Sequence, residues 1–437
     1  MIFSYWFKNW SFNYKICYAI VSVGIKTFYK KYEVEGLENI PKDAGILFAI
    51  NHQNAFMDPV VFSYQLNKKA YFLARADIFK NKLASKILTS IYILPIFRQR
   101  DGVNTIVKNE ATFNQCHDIL NDDGYVLIFP EGNHNNQKKL RPIKKGIARI
   151  GLGAAEKSSF QKPYYIVPVG LDYSSHTKMG ASLLINISKP INLQDYYSKY
   201  KSDSAATINK LMTDVKTKME SLIVNIKSEN YITCTQLIWL LKSEINSNSL
   251  KNCLTNQQAL VATVEEIETT NNPLFNDLKE QTNFVYSYLK TNNIRPVHLY
   301  KKNSITTALF SLFILTISFP IHVIGLLSNY LPYKIPETIV KKKIKDEHFH
   351  SSIKMSLGVI LFTLFWTFQT LFVLVLFGFK ICFFYTLSLP ILAMLNYRWM
   401  IFSKKTKGLL NALRVMKSDD YQKAKRMYNE IKSESLK

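Results

Sequence analysis

Along residues 33–200 short apolar runs alternate with longer stretches of helical spacing. The runs GILFAIN (45–51), YVLIFPEG (125–132), YYIVPVGLDY (164–173) and LLINISKPI (183–191) are bounded by Gly, Pro, Asn and Ser. They predict buried strands, and the stretch from about 105 to 121 predicts a helix between two of them. That alternation predicts an α/β domain. Residues 1–32 mix Trp6, Phe7, Trp10, Phe12 and Tyr14 with Lys8 and Lys15, a pattern that predicts amphipathic helices at a membrane interface. Residues 201–300 are polar with a thin apolar stripe (Leu211, Val215, Met219, Leu222) and predict a helical connector.

From residue 301 the pattern changes. Three nearly uncharged runs, at about 305–329, 355–379 and 381–402, are each long enough to cross a bilayer as a helix. Lysines flank them at 301–302, 341–343 and 404–405. The bias of Lys and Arg toward the cytoplasm then makes the second and third runs a hairpin turning near Lys380 and the first a shallow hairpin bent at Pro320. Residues 406–437 predict a cytoplasmic amphipathic tail. The expectation is an integral membrane protein with its α/β domain on the cytoplasmic side.

Charge and composition narrow the partners. The 437-residue chain carries a formal charge of +24, which calls for an anionic neighbour. With spanning segments present and no nucleic-acid motif, that neighbour is membrane lipid or a phosphorylated substrate and not nucleic acid. The five cysteines are scattered without a CxxC pair, so neither a zinc site nor a disulfide framework is expected.

Four segments of the α/β region hold candidate chemistry. Asn51-His52-Gln53-Asn54-Ala55-Phe56-Met57-Asp58 follows a strand and enters a helix. A strand-end His with a carboxylate on the next element suits a base and its orienting partner. Ile93-Leu94-Pro95-Ile96-Phe97-Arg98-Gln99-Arg100 delivers Arg98 and Arg100, whose guanidinium groups can grip a phosphate in bidentate fashion. In Phe129-Pro130-Glu131-Gly132, Glu131 either orients Arg98 or accepts a hydrogen bond from a substrate hydroxyl. Gly132 lets the backbone approach a ligand. Arg141, Lys144 and Lys145 follow and add positive field. His134 is a second histidine, expected at the surface. Ile166-Val167-Pro168-Val169-Gly170 is read as a channel wall without a catalytic group.

In this order, NHxxxxxD, an Arg-ending strand, FPEG and VPV resemble the glycerolipid (PlsC-type) acyltransferase family over about residues 34–173. Five residues separate His52 from Asp58, where the commonest family pattern has four. A one-residue bulge at the helix start would restore their contact. This longer spacing, together with membrane segments placed after the domain, resembles the glycerol-3-phosphate/dihydroxyacetone-phosphate acyltransferase branch. The resemblance implies a mixed sheet flanked by helices. It implies His52 as general base, Asp58 as its partner, and Arg98 with Glu131 and Gly132 at the glycerol-phosphate site. It also implies an acyl thioester donor (acyl-CoA or acyl-ACP) as co-substrate; the base-assisted transfer expected here calls for no metal and no other cofactor. Glycerol 3-phosphate is the expected acceptor. The alternatives are 1-acylglycerol 3-phosphate or another lysophospholipid, and, from another class, a non-enzymatic scaffold that binds anionic lipid.

Overall fold

The structure, a computed structural model, describes residues 10–66, 68–97 and 105–436. It divides into two units. The first is Met1–Asn225 with Ser249–Lys251 and Ile344–Ser356; the second is Ile226–Asn248, Asn252–Lys343 and Leu357–Lys437.

The first unit is built on a mixed sheet. Its strands are β1 (Tyr29–Glu35), β2 (Gly45–Ile50), β3 (Ala70–Arg75), β4 (Ile93–Ile96), β5 (Tyr125–Ile128), β6 (Tyr164–Tyr173), β7 (Ala181–Ile187) and β8 (Ile191–Asn192). The order is β1-β7-β6-β2-β5-β3-β4, with β8 also on β6. From β6 through β4 all neighbours are parallel; β6 pairs antiparallel with β7 and β8. Every residue of β2 is buried, because it lies between parallel neighbours and both faces of the sheet are covered. Leu47 and Ala49 face one core and Ile46, Phe48 and Ile50 the other, as strand alternation requires.

Helices cover both faces. α1 (Phe12–Phe28) and α2 (Met57–Ser63) contribute Ile25, Phe28, Met57, Val61 and Phe62 to one core, with Met355 from the distant third piece of the unit. On the other side lie α3 (Thr105–Asn121) and α4 (Gly146–Lys157), whose Ile147, Ala148, Ile150 and Leu152 are fully buried. α5 (Ser204–Ser221) also belongs to this unit: Leu211, Met212, Val215 and Met219 join the core. The boundary expected at residue 200 therefore falls at 225, because the apolar stripe read as part of a connector covers the sheet.

In the second unit α6 (Tyr231–Leu240), α7 (Leu250–Thr270, entered at Asn252) and α8 (Asn272–Thr291) are followed by α9 (Ile305–Lys343), α10 (His350–Val415, entered at Leu357) and α11 (Asp419–Ser435). α11 packs on α8, burying Tyr421, Ala424, Tyr428 and Ile431 with Phe275, Leu278 and Val285. The tail and connector, read as separate pieces, share this core. α9 and the stretch Glu347–Val415 are long and apolar enough to cross a membrane. The hairpin expected at Pro320 does not form: α9 continues as one helix through Pro320, Pro332 and Pro336. α10 reverses at Gly378, whose φ of 76° and ψ of 175° break the helix. Across the reversal the Tyr385 hydroxyl donates to Gln369 Oε1 at 2.7 Å, and Thr370 and Thr386 hydroxyls pair at 3.1 Å. Trp366 Nε1 donates to Asn329 Oδ1 at 2.8 Å, and Gln369 Nε2 to the Ser328 carbonyl at 3.0 Å, which ties α10 to α9.

Candidate active site

The register of two parallel strands sets the centre of the site. β2 and β5 pair with Ala49 opposite Ile128, so three residues further along each chain His52 comes beside Glu131. The His52 backbone N–H donates to Glu131 Oε1 at 2.7 Å. The imidazole lies flat on the Phe129 ring, with centroids 4.1 Å apart.

Asp58, fully buried at the start of α2, holds the ring. Its Oδ2 is 2.8 Å from His52 Nδ1 and accepts the backbone N–H groups of Gln53 (2.8 Å) and Asn54 (2.7 Å); its Oδ1 accepts the Tyr173 hydroxyl at 2.7 Å. A carboxylate with four donors has one orientation available. It fixes hydrogen on Nδ1 and leaves Nε2 with a lone pair. The extra residue between His52 and Asp58 is absorbed at Ala55, whose φ of +35° lies outside the usual range for an L-residue. The Met57 N–H then reaches back to the Asn54 carbonyl at 2.7 Å, and the helix starts in time to present Asp58.

Around this pair the loop is braced on several sides. The Asn51 side chain bridges to both backbone groups of Leu171 on β6, at 2.7 and 3.1 Å. Asn54 Nδ2 donates to the His176 carbonyl at 3.1 Å, and His176 Nε2 and Gln53 Oε1 are 3.2 Å apart. Burial pushes the His176 imidazole down to about 4, with Lys138 nearby acting the same way.

Both oxygens of Glu131 are occupied: Oε1 by His52, and Oε2 by the backbone N–H (3.2 Å) and Nε (3.1 Å) of Arg141. With the residue 6% exposed, it forms a strut between the base loop and Arg141. Burial pushes its carboxyl up, opposed by the His52 N–H and by Arg141. The Nη2 of Arg141 is buried without a hydrogen-bond partner, a donor that an anionic ligand would satisfy. Gly132 has φ +70°, and a Cβ there would meet Lys144 Nζ at 2.8 Å. Lys144 therefore lies against the Gly132 backbone, and exposed Lys145 stands at the start of α4. Arg98 and Arg100 lie outside the described residues. Thus His52, Asp58, Glu131, Gly132 and Lys144 come together, with Lys145 next in the chain.

Two features had no sequence signal of their own, and a third lies elsewhere than expected. Tyr173 reaches Asp58 from the end of β6, a strand read as free of catalytic groups. His134 has a ring centroid 5.5 Å from that of His52, in an edge-on arrangement, not the surface place expected. Asp346 and His348, more than 200 residues away in sequence, meet it there. His134, Asp346 and His348 bring donor atoms within 4.8 Å of one another. His348 is already committed: its Nε2 accepts the Asn136 N–H at 3.0 Å, so its Nδ1 carries hydrogen and donates to Asp346 Oδ1 at 2.6 Å.

Residues 31–172 match the family profile described as Acyltransferase. Over 120 residues the chain is 32% identical to glycerol-3-phosphate O-acyltransferase 2 of Saccharomyces cerevisiae, covering 27% of this chain and 16% of that protein. Over 142 residues it is 27% identical to the chloroplastic 1-acyl-sn-glycerol-3-phosphate acyltransferase BAT2 of Brassica napus, covering 32% of this chain and 38% of that protein. The chain thus spans well under half the length of these two relatives. Among solved structures it is similar to the 1-acyl-sn-glycerophosphate (LPA) acyltransferase PlsC of Thermotoga maritima, with 19% identity and a TM-score of 0.35 over 48% of this chain and 79% of that one.

Proposed function

We propose that this chain, whose residues 31–172 form a domain of the acyltransferase family, moves a fatty acyl group from an acyl thioester to a hydroxyl of glycerol 3-phosphate. The observation that carries the reading is the His52–Asp58 pair, 2.8 Å apart, with the carboxylate saturated by donors and Nε2 left to take a proton. The acceptor hydroxyl gives its proton to His52 Nε2 as its oxygen attacks the thioester carbonyl. Asp58 stabilises the imidazolium that forms. Collapse of the tetrahedral intermediate breaks the C–S bond, and the proton passes from His52 to the departing thiolate. Arg98, Arg100, Lys144 and Lys145, with the unpartnered Nη2 of Arg141, supply cationic groups for the acceptor phosphate. α9 and the two arms of α10 cross a bilayer in this reading, and the lysines at 301–302, 341–343 and 404–405 favour a cytoplasmic catalytic unit.

A second acceptor, 1-acylglycerol 3-phosphate, is favoured by the match to relatives named for it. The test is thiol release by the full chain in detergent micelles, with an acyl-CoA and each acceptor in turn. Release with glycerol 3-phosphate, lowered about 10²–10⁴-fold by His52→Ala, is expected. Release only with the lysophospholipid would move the assignment to that acceptor. No release with either would refute it.

A further inference from the structure

The segment Ile344–Ser356, between α9 and the apolar length of α10 in sequence, belongs to the first unit and lies against the His52 loop. Four contacts fix it there. Met355 is buried in the same core as β2, close enough to α1 that a Cβ on Gly24 would meet its Cγ at 2.7 Å. Ser351, fully buried, donates from its hydroxyl to Asn54 Oδ1 at 2.7 Å; Asn54 is the residue whose N–H holds Asp58. Phe349 packs edge-on against Phe56, with centroids 5.4 Å apart. His348 Nε2 takes the Asn136 N–H, and the next N–H back, that of Asn135, goes to the His52 carbonyl at 2.9 Å.

At the centre of these contacts is a short relay. Asp346 Oδ2 accepts from His134 Nε2 at 3.1 Å, and Oδ1 accepts from both the ring and the backbone N–H of His348, at 2.6 and 3.0 Å. Partial desolvation pushes the Asp346 carboxyl up, but the bonds from His348 and His134 outweigh it and hold it down at about 2. The charge is therefore present at any working pH. His134, fixed by that carboxylate, sets its ring edge-on to His52, which also stacks on Phe129 and is bonded through Nδ1 to Asp58. Two aromatic rings thus flank the base, and the carboxylate that orients one of them comes from a segment with no motif.

We propose that Ile344–Ser356 is a brace of the active site, and that Asp346 is a positioning residue acting on His52 through His134. The brace rests on the reading of His52 as the base, but its docking is measurable without turnover. Loss of the relay frees His134 and lets the His52 imidazole leave its productive orientation. Substrate groups bound elsewhere are untouched, so kcat falls and KM does not.

The experiment uses the full chain in detergent micelles with the variants Asp346→Asn, His134→Gln and their combination. Asp346 is solvent-exposed, so Asp346→Asn leaves the core intact. Each single variant is expected to lower kcat about ten- to a hundredfold with KM for acceptor and donor unchanged. The double variant should be no slower than the worse single one, because both break one relay. Additive losses, or loss through KM alone, would overturn the relay. In parallel, hydrogen–deuterium exchange of the peptide covering residues 133–137 should speed up about tenfold or more in His348→Ala, whose Asn136 N–H loses its acceptor. Unchanged exchange there would overturn the brace. A wild-type chain inactive with both acceptors sinks the acyltransferase reading, while the exchange measurement still decides docking.

Discussion

Asp58→Asn tests the base most directly, because it removes charge and little else. Asp58 Oδ2 serves three donors and Oδ1 one, the Tyr173 hydroxyl. An asparagine can keep its oxygen toward His52, Gln53 and Asn54 and turn its amide nitrogen to Tyr173, whose hydroxyl rotates to accept. Fold and ring orientation then survive, and what disappears is a negative charge facing the imidazolium. With Nδ1 and Oδ2 at 2.8 Å the charge centres are about 4 Å apart, worth ~4 kcal/mol at an effective dielectric constant near 20. If that interaction is made only when His52 is protonated in the transition state, kcat falls about 10³-fold. The assay is thiol release under saturating acyl-CoA and acceptor, with a thermal melt as control for folding. A kcat within tenfold of wild type, in a variant that melts normally, would show that no imidazolium forms beside Asp58. His52 would then be a structural histidine.

Glu131→Gln places an amide where both oxygens now accept, so either the His52 N–H or the Arg141 donors lose their partner. A loss of ~1–3 kcal/mol in stability is expected, read as a lower melting temperature; an unchanged melt would remove Glu131 from the framework. The imidazole of His176 has its pKa depressed from 6.5 to about 4, so its contribution to stability is complete above 6.5 and is lost as pH falls toward 4. Melts between pH 7.5 and 5 should show about 2 kcal/mol of destabilisation that His176→Gln abolishes, and an equal slope in that variant would assign the acid sensitivity elsewhere.

The sequence displayed what depends on strand order and strand ends. His52 and Glu131 each follow an apolar run, and once those runs pair in parallel they meet at one edge of the sheet. The helix start at Met57 was harder to read, because the additional residue before Asp58 is taken up by a single left-handed alanine, Ala55, which no propensity favours. The partners of Glu131, the His52 N–H and Arg141, were not legible, because they are set by register and by a loop with no regular pattern. The placement of Asp346 and His348 was illegible: they lie between two apolar runs in a short polar stretch that looks like any interhelical loop. Nothing periodic announces that Ser351 and Met355 are buried in another part of the fold. Tyr173 looked like the end of a wall strand, and only its opposition to the buried carboxylate gives it a role.

The polar side chains inside the long apolar helices have a mechanical consequence. Trp366 with Asn329, Gln369 with Ser328 and Tyr385, and Thr370 with Thr386 act as keys between neighbouring rods. In hydrocarbon no water can replace a lost partner, so sliding one rod along another by a single turn, about 5.4 Å, would strand several such groups at once. With these helices in a bilayer, as proposed above, thickening or thinning of the lipid would therefore change their common tilt rather than their alignment.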